Sequence, residues 1–484
     1  MSREVIEQAA EQAMPGIFGP LEAGESPTAV PPGGTPRLQC PDRQQAVMSW
    51  DTLDERLPED HQARLVWAYV ESADLSLLYE KIKAVEGWAG RRAIEPKILL
   101  ALWLYATLDG VGSAREIDRL CKQHDAYRWI CGGVSVNYHS ISDFRTEHVE
   151  FLDQLLSDSV AALVHEGLVT LNRVAQDGVR VRASAGADSF RRRPTLEECQ
   201  AEAQEQVRKL REEMDADPSA VSKRQQAARQ RAARERSERL RQALAQMQEL
   251  EKKREAQAKK ESAQDEQDKG DQDKDGQNGK EDEGQGKKKE PSQPRVSTTD
   301  PEATVMKMGD GGFRPAYNIQ YATDTAAQVI TGVDAGTIGS DQGQMGPMVK
   351  QHEDRYEQRP NEVLVDGGFA KKSDIEQVSA AGVTVYAPVQ KPRKAEQDPY
   401  ARRAGDSEVI AAWRERMGSE QGKAIYKERA STAECVNAAA RNRGLYQFLV
   451  RGLEKIKAVA LMFALAHNLV RAVTLRAQLA TAAW

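Results

Sequence analysis

Three acidic residues have the types and settings to do chemistry together. Asp177 follows an apolar run in "VAQDGV", Asp366 closes "VLVDGG", and Glu434 sits in the helical stretch "STAECVNAAARNRG". Asp366 lies 189 residues after Asp177, and Glu434 lies 68 residues after Asp366. Each is weak alone. Asp-Gly is a common turn signal, found also at Asp310-Gly311, and a helix glutamate is usually a solvated charge. Together, two carboxylates at strand ends and one on a helix make an all-oxygen ligand set. Ligands of open α/β sheets gather at such strand ends. Magnesium favours oxygen donors and keeps several of its waters. Two such ions about 4 Å apart can activate an attacking oxygen and stabilise a leaving one in phosphodiester displacement.

Cations surround the third acid. Lys427 and Arg429 precede Glu434, and Arg441 and Arg443 follow it. Glu434 and Arg441 are two helical turns apart on one face. That face could hold a metal through Glu434 and phosphates through arginines. A salt-bridged surface helix is the alternative reading.

The positioning elements can be read along the chain. Residues 1–45, with Pro31, Pro32, Gly33, Gly34 and Pro36, are expected to be mostly disordered. Residues 46–168 are expected to be helical, with Pro96 in a first turn and Ser113 as a cap. Ser140 and Asp143 would cap one long helix carrying Phe144, Leu152, Leu155, Leu156 and Val160. Trp67, Trp88, Trp103 and Trp129 read as core. Short helices separated by glycines fit a helix-turn-helix arrangement, and equally an ordinary bundle. The Val-rich segment 169–185 alternates like a strand, with Asp177 at its end. Residues 188–299 are a charged segment. It comprises a helical hairpin or partial coiled coil with seams at Val207, Leu210, Met214 and at Leu240, Leu244, Met247, then a disordered stretch over 261–293. Two strands are expected in 303–338, turning near Asp324 and Thr325, and others at 362–368 and 383–389. Helices are expected at 342–353, 374–381, 407–417, 421–443 and 453–480. A mixed α/β sheet covered by helices follows.

Composition sets outer bounds. The 484 residues carry a formal net charge of −6, so a nucleic-acid reading must rest on local features. Five scattered cysteines without a CxxC pair argue against a disulfide framework or a zinc site, and a reducing cytoplasm fits. No run is expected to span a bilayer, the best stretch, Val459 to Leu465, being interrupted by His467 and Asn468. No GxxxxGK[ST] loop indicates ATP use.

Several stretches resemble bacterial insertion-sequence transposases of the DDE type: "HSISDFRTEH" (139–148), "QDGVRVRASAG" (176–186), "GDGGFRPAYNIQYATDT" (309–325), "VLVDGGF" (363–369), "YKERASTAECVNAAARNRGLYQFLVRGLEK" (426–455) and "ALAHNLVR" (464–471). The resemblance implies an RNase H-like α/β catalytic domain over 169–187 and 300–484, interrupted by the insertion and preceded by an all-α DNA-binding domain over 46–168. It implies Asp177, Asp366 and Glu434 as catalytic, metal-holding acids. It implies two magnesium ions, with manganese as a substitute. Tyr426, Lys427, Arg429, Arg441 and Arg145 would contact DNA, as would His139, with a helix cap or core histidine as the alternative for the last two. Arg429 and Glu434 stand one residue further apart than the usual pattern, and arginine replaces its final lysine at Arg441. The implied partners are terminal inverted repeats and target DNA, bound by a homodimer or higher assembly, with no membrane, in a bacterial, nucleoid-associated, cytoplasmic setting. A transposase-derived DNA-binding protein without catalytic activity is the competing reading. A structural coiled-coil protein is a third.

Overall fold

The computed structural model describes residues 50–84, 92–216, 223–271, 293–390 and 398–482. The expectations for residues 1–45 and for Trp88 lie outside the described residues.

Among the described residues, seven helices come first: α1 (Gln62–Ser72), α2 (Ser76–Glu80), α3 (Pro96–Leu108), α4 (Ala114–Gln123), α5 (Asp125–Cys131), α6 (Tyr138–Glu147) and α7 (Val149–His165). Pro96 starts α3, where its missing N–H costs no helical hydrogen bond. Helix α3 is apolar on every side and is the buried centre of this bundle. Ser113 caps α4 by accepting from Glu116 N–H. The single long helix expected after Ser140 is two helices. Asn137, not Ser140, caps α6 by accepting from His139 and Ser140 N–H, and the backbone leaves the helical region at His148. Trp103 is fully buried, its indole N–H donating to Ile141 O, while Trp67 and Trp129 meet edge to face.

Strand β1 (Arg173–Arg182) follows. The insertion opens and closes on a short antiparallel clasp of β2 (Phe190–Arg191) with β3 (Val296–Ser297). Between them run α8 (Arg193–Ala216) and α9 (Lys223–Asp271), an antiparallel pair. They bury Leu196 and Ala203 against Leu240, Ala243 and Met247, and Arg193 pairs with Glu251 at its base. Helix α9 runs on through residues 261–271, which corrects part of the disordered stretch expected there. Residues 272–292 lie outside the described residues. So does the side chain of Met214, while Val207 and Leu210 are half-buried.

The main sheet continues with β4 (Thr304–Lys307), β5 (Phe313–Asp324), β6 (Ile330–Gly336), β7 (Glu362–Leu364) and β8 (Thr384–Tyr386). Its order is β4-β5-β1-β7-β8, with β6 also pairing β5. The β4, β5, β6 and β1 contacts are antiparallel, and β1-β7-β8 is parallel. This mixed sheet is the RNase H-like α/β class expected. Helix α10 (Met345–Tyr356) leads from β6 into β7, and α11 (Lys372–Ala380) connects β7 to β8. Then come α12 (Glu408–Gly418), α13 (Glu420–Arg429), one π-helical turn (Ala430–Glu434), α14 (Cys435–Asn442) and α15 (Leu453–Ala482).

Helix α15 joins the two parts of the chain. Its side chains and those of α3 and α7 share one core with Tyr321, Ile330 and Val333 of the sheet. By length and composition α15 could cross a membrane, which corrects the expectation that no segment could. His467 and Asn468, the polar residues interrupting it, face the sheet. His467 meets Gln328 O, and the Asn468 amide both accepts from Ile330 N–H and donates to Ile330 O. They satisfy backbone groups that burial would otherwise leave unpaired.

Candidate active site

Register brings the two aspartates together. Strands β1 and β7 pair in parallel as Arg173 with Glu362, Val174 with Val363 and Ala175 with Leu364. That register offset equals the separation of Asp177 from Asp366, so two residues beyond the last pair the aspartates are level. Asp366 lies just past the end of β7, as expected. Asp177 does not lie at the end of its strand. It is mid-strand, because β1 continues to Arg182 along β5, with Asp177 opposite Tyr321. The point where β7 stops opens the sheet beside Asp177.

The third acid arrives by a helical irregularity. The helix expected over 421–443 is interrupted by the π-turn, which accommodates one extra residue. Five residues apart, Arg429 and Glu434 therefore still face each other, Arg429 Nη1 lying 3.4 Å from Glu434 Oε1. The long spacing noted in the sequence has this local cause. Arg429 Nη2 lies 3.1 Å from Asp177 Oδ2, so one guanidinium bridges two of the three acids. Asp177 Oδ2 also accepts from Asn437 Nδ2 at 2.9 Å, and its Oδ1 from Gly178 N–H at 3.0 Å. Asp366 Oδ1 accepts from Gly368 N–H at 2.7 Å. Glu434 is mostly exposed, with 63% of its side chain accessible.

Burial pushes the Asp177 carboxyl above the usual carboxylate range. Arg429 opposes the shift, while the charges of Asp366 and Asp341 add to it. Tyr426 is half-buried near the same acids. Its phenol is pushed up mainly by burial, opposed by Arg429 and reinforced by Asp366, Asp177 and Glu434.

The other expected contacts divide. Lys427, Arg441 and His139 are exposed, and Lys427 and Arg441 lie either side of Glu434 in sequence. Arg145 is corrected: it is 6% exposed, donates to Gly112 O at 2.8 Å and stacks 4.1 Å over the Trp103 ring. Burial brings its pKa down to about 10. These contacts hold it against the helical bundle.

Four polar residues escaped the sequence reading. Asn318 and Gln320 of β5 each donate at 2.7 Å to Asp341, in the loop before α10. Two amides spaced by two on an otherwise apolar strand, "AYNIQYA", share one face and need a polar partner there. That signal was available. Asp341 and Asn437 carried none.

The donor set suits a hard divalent ion: Asp177, Asp366 and Glu434 offer oxygen only. Among the described residues no three His, Cys, Asp or Glu side chains already close around a metal-sized point. Arg429 supplies the positive charge there instead. The buried Asn437 Oδ1, beside Asp177, has no hydrogen-bond partner in the protein.

Residues 51–147 match a family model described as Transposase domain (DUF772), and residues 393–473 match one described as Transposase DDE domain. The second span includes Tyr426, Arg429, Glu434 and Arg441. No curated protein and no solved structure matches the chain.

Proposed function

Because the chain belongs to the DDE-type insertion-sequence transposases, a family that cuts and transfers DNA, we propose that it binds the terminal inverted repeats of a mobile element and catalyses metal-dependent strand cleavage and transfer at its ends. The observation that carries the proposal is the level placement of Asp177 and Asp366 at the β7 terminus, with Glu434 tied to Asp177 through Arg429.

Asp177, Asp366 and Glu434 are the residues that would hold divalent metal, magnesium or manganese. Such ions supply charge for the attacking and leaving oxygens of a phosphodiester. The chain's own part is to position and to neutralise. Gly178 and Gly368 N–H groups and Asn437 Nδ2 fix the rotamers of Asp177 and Asp366. Lys427 and Arg441 are free to take backbone phosphates, which fix the DNA in register without reading its sequence. The Tyr426 phenol stays protonated at neutral pH and can donate to a phosphate oxygen. Holding the scissile phosphate in this frame supplies the orientational share of catalysis.

In this reading residues 46–168 recognise the terminal repeats, 169–187 and 300–484 cut, and 188–299 form an arm. Two element ends must be brought together, so the working species is a homodimer or larger assembly on DNA, acting in the cytoplasm. The test is cleavage of a labelled duplex carrying the element's terminal repeat. Wild type and Glu434→Gln are compared with magnesium and with EDTA. Cleavage by wild type with magnesium alone supports the proposal. Binding without cleavage in every sample, with paired ends supplied, overturns it in favour of an inactive DNA-binding relative.

A further inference from the structure

We infer that Asp341 is a fourth carboxylate of the active site, positioned by Asn318 and Gln320 to hold divalent metal together with Asp366. The inference rests on the metal-dependent reading of Asp177, Asp366 and Glu434, and adds a residue outside that triad.

The placement begins in the sheet. Strands β1 and β5 pair so that Gly178 lies opposite Gln320 and Arg180 opposite Asn318. The two amides hold Asp341 Oδ1 over Gly178. A Cβ at residue 178 would lie 2.3 Å from Asp341 Oδ1, 2.5 Å from Gln320 Nε2 and 2.8 Å from Asn318 Oδ1, so glycine alone leaves room for the carboxylate. The carboxylate therefore sits over β1 at Gly178, on the strand face opposite to that of the preceding Asp177.

The second oxygen turns towards Asp366. A Cβ at Gly368 would lie 2.9 Å from Asp366 Oδ1 and 3.5 Å from Asp341 Oδ2. Both oxygens thus border one small space at Gly368. The Asp341 side chain is only 11% exposed, and its nearest cation, Arg180 Nη2, is 3.7 Å from Oδ2, beyond hydrogen-bond length. Arg180 is itself held by the carbonyls of Lys307 and Gly339. Amide donors orient a buried carboxylate but do not cancel its charge.

A separate observation points to a ligand beside Asp341. Asn318 is 2% exposed, yet its Oδ1 has no hydrogen-bond partner in the protein. This orphaned acceptor lies over Gly178, beside Asp341 Oδ1. A buried acceptor normally finds a donor, and a hydrated cation brings water molecules that can donate.

The experiment titrates Mn²⁺ into the full-length protein and follows free Mn²⁺ by electron paramagnetic resonance. Wild type is compared with Asp341→Asn, Asp341→Glu, Asp366→Asn and Asp177→Asn, each also melted without metal. Asn at 341 keeps an acceptor for both amides and removes the charge. We expect Asp341→Asn to weaken Mn²⁺ binding at least about tenfold, as Asp366→Asn does, without lowering the melting temperature. Partial recovery is expected in Asp341→Glu. Wild-type affinity in Asp341→Asn beside loss in Asp366→Asn overturns this inference and leaves the transposase reading intact. Unchanged affinity in Asp366→Asn and Asp177→Asn overturns both. If Asp341→Asn does not fold, Fe²⁺-generated hydroxyl-radical cutting of wild-type protein decides: cuts near both residues 341 and 366 support the inference, and cuts near 366 alone overturn it.

Discussion

Arg429 Nη2 lies 3.1 Å from Asp177 Oδ2, so a side chain provides positive charge beside a carboxylate proposed to hold metal. Both side chains are largely buried, which makes the pair costly to break from one side. Arg429→Ala is expected to destabilise the metal-free protein by about 3 kcal/mol. Magnesium should restore more stability to the variant than it adds to wild type. Denaturant unfolding with and without magnesium checks this, and equal magnesium effects on both proteins would refute the exchange of arginine for cation.

The π-turn over Ala430–Glu434 makes a sharper prediction. A π-turn adds one residue while leaving the helix faces on either side nearly in phase. Deleting the exposed Ser431 should therefore keep Arg429 facing Glu434 and retain cleavage. Inserting an alanine at the same place should swing Glu434 and Asn437 off Asp177 and cost about a hundredfold or more in cleavage rate. Duplex cleavage by the two length variants measures both.

The Asp177 carboxyl is held above its ordinary range, chiefly by burial. The folded state then binds more protons than the unfolded state in that window. Stability from this residue is fully present below the unfolded pKa and is lost as pH rises through the folded one. Asp177→Asn removes the effect. Measured against this variant, which also loses the pairing with Arg429, wild-type stability should fall as pH rises from about 4 towards neutrality. A wild-type advantage that grows over that range would contradict the sign.

Arg145 and the two exposed cations should part company. Arg145→Ala removes a carbonyl hydrogen bond and a stack on Trp103, for a loss of about 2 kcal/mol of stability. It should leave the salt dependence of DNA binding unchanged. Lys427→Ala and Arg441→Ala should do the reverse, each reducing the salt slope by about 1 with stability kept. Binding isotherms at several salt concentrations, beside thermal melts, distinguish the two classes.

The sequence by itself determined the elements and the chemistry they could carry. Alternation in "RVAQDGVRVR" and the apolar run "EVLV" are local signals, because strand faces repeat every two residues. Carboxylates beside glycines and a Glu among arginines are likewise visible residue by residue. The tertiary structure decided the rest. The β1–β7 register made two aspartates neighbours, and a π-turn fitted an extra residue between Arg429 and Glu434. A loop carried Asp341 to two amides of β5, and a bundle enclosed an arginine that looked like a DNA contact. Apart from the π-turn, these are contacts between residues tens to hundreds apart. Their energies come from burial and charge in three dimensions, which spacing along a chain does not encode.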